Sequence, residues 1–101
     1  MQKPREDDLS KYRVFETDEF IKQLGKLPAR DASLIQKKLS TIGYPRLMEQ
    51  PYFGKNIKKL RGYDPETWRY RVGSYRLFYE IDETESVIYM LTIDLRKDAY
   101  R

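Results

Sequence analysis

The chain has 101 residues, 40% of them hydrophobic and 36% charged, with a net charge of +4 and neither cysteine nor histidine. That length supports one core rather than two, and no apolar run approaches the ~20 residues of a membrane span. The missing residue types exclude disulfides, thiolate nucleophiles, Cys or His metal ligation and imidazole acid–base catalysis, so any chemistry rests on Lys, Arg, Tyr, Asp or Glu.

Residues 1–10 are polar and mixed in charge, with Pro4 and the run Glu6-Asp7-Asp8, and read as a flexible arm. They hold no apolar stretch of the secretory kind, so a cytoplasmic location is expected. Residues 11–101 read as a single domain. Lys11 to Thr17 alternates as a first strand, with Tyr12 and Val14 on one side and Arg13 and Phe15 on the other. Thr17 or Asp18 caps a first helix, in which Phe20, Ile21, Leu24 and Leu27 form an apolar stripe that Pro28 closes. A second helix runs from about Ala29 to Ile42, with Leu34, Ile35, Leu39 and Ile42 toward the core and Arg30, Asp31, Lys37 and Lys38 toward water. Gly43 and Pro45 are read as its end, and Tyr44 to Asn56 as an irregular connection anchored by Leu47, Met48, Tyr52 and Phe53.

Turn signals at Gly62, Asp64-Pro65, Gly73-Ser74 and Asp82-Glu83-Thr84-Glu85 separate four further strands, near 56–61, 67–72, 75–81 and 86–94. Short connections favour an antiparallel meander. The expected fold is α+β in the order β-α-α-β-β-β-β, with two N-terminal helices packed on a twisted, mainly antiparallel sheet.

Charge is concentrated in this second half. Between Lys55 and Arg76 stand seven cations, Lys55, Lys58, Lys59, Arg61, Arg69, Arg71 and Arg76, against the two anions Asp64 and Glu66. Period-two alternation turns Trp68, Tyr70 and Val72 one way and Arg69 and Arg71 the other. Likewise Tyr75, Leu77, Tyr79 and Ile81 face the core, leaving Arg76, Phe78 and Glu80 outside. Lys58 and Arg61 differ in parity, as do Lys59 and Leu60, so these cations do not all join one cluster; Lys59 and Arg61 are preferred over Lys58. Arginines interleaved with aromatics on one sheet face suit a phosphodiester partner. The carboxylates Asp82, Glu83 and Glu85 read as a solvated turn, so no metal site or small-molecule cofactor is expected.

The block Lys59-Leu60-Arg61-Gly62, then Trp68 to Ile81 with its Arg71-Val72-Gly73-Ser74-Tyr75-Arg76 hairpin, then Arg96-Lys97-Asp98-Ala99-Tyr100-Arg101, resembles the RelE/ParE superfamily of toxins from toxin–antitoxin modules. The resemblance spans about residues 11–101. It implies a small toxin held inactive by a cognate antitoxin protein. RelE-like members cut mRNA in the ribosomal A site, whereas ParE-like members inhibit DNA gyrase. Tyr100 following Arg96 is more similar to the RelE branch. The chain departs from that branch at Asp94-Leu95, where many RelE-like toxins carry Gly-His or a similar pair, and a carboxylate there would repel a phosphate.

Cleavage by a 2′-hydroxyl requires proton removal from the nucleophile, stabilisation of the phosphorane and protonation of the leaving oxygen. Without histidine, Tyr100 or Lys59 would move protons, Arg71 and Arg96 would stabilise the phosphorane, and Arg61 and Arg76 would grip flanking phosphates. Lys58 and Arg69 extend the phosphate-binding set, and Phe78 or Tyr79 offers a ring for base stacking. Three functions stay open: a metal-independent mRNA endoribonuclease acting on the ribosome, a gyrase inhibitor needing no proton transfer, and a degenerate toxin that only binds its antitoxin.

Overall fold

A computed structural model describes residues 11–95. Strand β1 (Arg13–Glu16) runs through Thr17 into helix α1 (Asp18–Lys26). The Thr17 hydroxyl accepts from the Phe20 N–H at 3.2 Å and donates to the Met90 carbonyl at 2.8 Å, so one side chain both caps the helix and ties it to the sheet. Asp18 and Glu19 place negative charge against the positive end of the helix.

Helix α2 (Ala29–Lys38) does not stop at Gly43. It passes through a π-helical turn (Leu39–Gly43) into α3 (Tyr44–Glu49), so the expected irregular stretch begins six residues later. In the wide turn the Tyr44 N–H reaches back to the Leu39 carbonyl, and Pro45 enters the next helix at its first turn, where a missing N–H is tolerated. Gly43 keeps right-handed helical angles; a Cβ there would lie 3.1 Å from both Leu39 and Tyr70. It is small because the helix presses on the sheet.

Strands β2 (Ile57–Lys59), β3 (Trp68–Val72), β4 (Tyr75–Asp82) and β5 (Val87–Leu95) form the antiparallel meander, and β1 joins β5 in parallel, giving the order β1-β5-β4-β3-β2. The helices cover one face. Trp68, Tyr70, Val72, Tyr75, Leu77, Tyr79, Ile88 and Met90 meet Phe20, Leu24, Ile35, Leu39 and Leu47 there. Each such large side chain contributes about 1.5–3 kcal/mol on burial. Ile21, Leu34 and Ile42, expected in the core, are exposed, because each helix touches the sheet along a narrower stripe than its apolar residues cover. Phe53, expected as an anchor, is 76% exposed.

A bulge between Phe78 and Tyr79 shifts the pairing with β5. Before it, Ile88 and Met90 point to the core opposite Ile81 and Tyr79; beyond it, Ile93 takes the core side opposite Leu77. Asp94 is thereby turned onto the open face, opposite Arg76.

Candidate nucleic-acid interface

The open face is organised by the β3–β4 hairpin. Gly73, at φ +58°, makes the two-residue turn with Ser74, and this sets the register Arg71↔Arg76 and Arg69↔Phe78. On one side of the pair Lys58 lies opposite Arg69, and on the other Asp94 and Thr92 lie opposite Arg76 and Phe78. Lys58, Arg69, Arg71, Arg76 and Phe78 therefore share one surface. Lys58 belongs to it in place of Lys59.

Lys59 pairs with Trp68 and points to the other side, with its ammonium 5.8 Å from the Trp68 ring and 3.1 Å from Glu66. Arg61 is exposed in the turn after β2, beyond the strand. Arg96 and Tyr100 lie outside the described residues, as does the arm of residues 1–10.

Two arginines directly opposite one another repel. Asp94 offsets this, its carboxylate 2.5 Å from the Arg76 guanidinium, which also sits 5.7 Å from the Phe78 ring centroid. The Nε atoms of Arg71 and Arg76 are enclosed and have no hydrogen-bond acceptor among the described residues. The planar guanidinium group itself suits the fork geometry of a phosphate.

A second basic feature lies around the β3 edge. Lys38, Ile42 and Arg46, spaced along the π-interrupted helix, close a cavity of about 340 Å³ with Lys55, Asn56 and the segment Tyr70 to Gly73. The sequence signal for it is the spacing of four between 38, 42 and 46, which points to one face only once the helix is continued past Gly43.

The shifted tyrosines all move away from proton transfer near neutral pH. Tyr12 is pushed up to about 12, chiefly by donating to Glu83 at 2.6 Å. Burial raises Tyr44, which also donates to Glu16 at 2.5 Å, and burial raises Tyr70 and Tyr79. Among the described residues, the face thus offers charge, bidentate donors and a stacking ring. No group of three or more Asp or Glu among them is placed to hold a metal ion, and no described helix is long and apolar enough to cross a membrane.

This architecture has solved counterparts. The RelBE2 toxin–antitoxin complex from Mycobacterium tuberculosis matches at 29% identity and TM-score 0.65, covering 84% of this chain and 98% of that one. The RelE–RelB complex from Pyrococcus horikoshii matches at 25% identity and TM-score 0.64, covering 85% and 96%. A mutant of E. coli RelE in the free state, with two arginines replaced by alanine, shares the fold at 23% identity and TM-score 0.62, covering 88% and 87%. Fold and basic face together define a RelE-like toxin domain. The family model described as the ParE toxin of type II toxin–antitoxin systems matches residues 14–100, and the chain belongs to that family, within the RelE/ParE superfamily. No curated protein matches the chain.

Proposed function

We propose that this toxin is a ribosome-dependent mRNA endoribonuclease that needs no metal, acts in the cytoplasm to arrest translation, and is silenced by a cognate antitoxin. The observation that carries the proposal is the convergence of Lys58, Arg69, Arg71 and Arg76 with Phe78 on the open sheet face. The solved structures it resembles include complexes of RelE toxins with RelB antitoxins, which favours an antitoxin partner here. In the reaction the 2′-oxygen attacks phosphorus, the bond to the 5′-oxygen breaks, and a proton passes from the first oxygen to the second. Arg71 and Arg96 stabilise the phosphorane, Arg76 and Arg69 hold flanking phosphates, and Phe78 stacks an unpaired base. With Lys59 directed to Trp68 and Glu66, proton handling falls to Tyr100.

Primer extension on cellular mRNA after induction tests this. Discrete cuts within translated regions are expected, and they should vanish for Arg71→Ala with Arg76→Ala and for Arg96→Ala with Tyr100→Ala. The second reading, a gyrase inhibitor, is favoured by the ParE family match and by Asp94 on the face. DNA damage without mRNA cuts would establish that reading instead.

A further inference from the structure

The cavity beside β3 is built differently from the open face. Its charged residues come from three segments, Lys38 and Arg46 from the π-interrupted helix, Lys55 from the loop before β2 and Arg71 from β3, and among the described residues no carboxylate lines it. β2 covers β3 only as far as the pairing of Ile57 with Tyr70, after which the Arg71 N–H bonds to the Asn56 carbonyl at 2.9 Å. The β3 edge beyond that point borders the cavity instead of another strand. Arg46 and Asn56 both act on the Tyr70 hydroxyl, so the helix and the loop before β2 converge on one spot. Arg71 joins the two basic regions, since it faces Arg76 on the open surface and also lines the cavity.

We propose that this cavity is a second anion site, which seats a backbone phosphate of the RNA strand as it leaves the open face around the β3 edge. The proposal rests on the nuclease reading for the identity of its ligand. Cations gathered without a counter-ion repel one another, and a phosphate relieves that repulsion while adding hydrogen bonds. An edge site of this kind fixes the direction in which the strand crosses the sheet, and sequence plays no part in such a contact.

The probe is a fluorescein-labelled single-stranded oligouridylate, its binding followed by anisotropy as salt is raised. The test variant is Lys38→Gln/Arg46→Gln/Lys55→Gln. The control Lys22→Gln/Lys26→Gln/Arg30→Gln removes the same charge from exposed positions on α1 and the start of α2. Because the cavity variant no longer neutralises that phosphate, it should bind about tenfold more weakly and its salt slope should flatten by about 0.7, while the control's affinity changes by no more than about twofold and its slope stays as in the wild type. If Arg46→Gln disturbs the fold, as read by thermal unfolding, the pair Lys38→Gln/Lys55→Gln serves, with a slope flattened by about 0.7 as for a single phosphate. Equal weakening of test and control variants overturns the site and leaves the nuclease reading standing. Weaker binding of a polyglutamate peptide with RNA binding unchanged would assign the cavity to an acidic protein partner and overturn it too. A wild-type protein that does not bind the oligouridylate also overturns the site, and mRNA cuts on induction then decide the nuclease reading separately.

Discussion

Arg76 and Asp94 face one another across β4 and β5 with side chains 28% and 51% exposed. A pair as open as this is worth about 0–1 kcal/mol, so a phosphate would displace the carboxylate at little cost, while its charge weakens the positive field of the face. Asp94→Asn should therefore tighten oligoribonucleotide binding about two- to tenfold at low salt, with less than about 1 kcal/mol lost from stability. Anisotropy titration and thermal unfolding measure the two effects, and unchanged binding would mean that Asp94 does not compete with phosphate. The grouping of Arg69, Arg71, Arg76 and Phe78 is legible in the sequence, because strands alternate and Gly73-Ser74 fixes their pairing. The sides taken by Lys58 and Lys59 are not, since parity in β2 depends on register with β3 across an eight-residue connection. Asp94 is hidden for a related reason: unbroken alternation from Ile88 and Met90 would send it to the core, and the bulge reverses it.

Among the elements, the junction of β1 and α1 shows how one residue can serve both helix and sheet. Thr17→Ala removes the cap on Phe20 and the bond to Met90 together, so a loss of about 1–2 kcal/mol is expected. Chemical denaturation should show this as a lower midpoint with an unchanged slope, and Thr17→Ser should restore most of it. This helix start is readable because a capping hydroxyl followed by acidic residues has a local physical cause. The second helix misleads, because Gly43 and Pro45 ordinarily mark an end and here answer a tertiary demand, the approach of Tyr70 and the wide turn that admits the proline. Reading a stop at Gly43 also separates Lys38 from Arg46, so the cavity they close stays invisible.

For the whole molecule, titration gives a test of how the sheet is tied to its surroundings. Tyr12 donates to Glu83 and Tyr79 donates to the Pro51 carbonyl at 2.7 Å, while Tyr44 donates to Glu16. These bonds need the protonated phenol. Their folded-state values lie above the ordinary 10, so their contribution is complete below about pH 10 and disappears as pH rises through the raised values, toward about 12 for Tyr12. Stability followed by circular dichroism should thus fall steeply above about pH 10, and Tyr44→Phe should shallow that fall. The family and the meander are legible in the sequence because β3 and β4 hold their motif in one contiguous hairpin. The exposed Ile21, Leu34 and Phe53 are not foreseen, since apolar spacing alone does not say how wide a contact the sheet offers. The parallel seam between β1 and β5 has a consequence of its own. β1, the first described strand to be synthesised, has among the described residues no sheet neighbour except β5, the last of them. A nascent chain therefore carries β1 unmated until β5 has been made, and the seam that closes the sheet is the last to form.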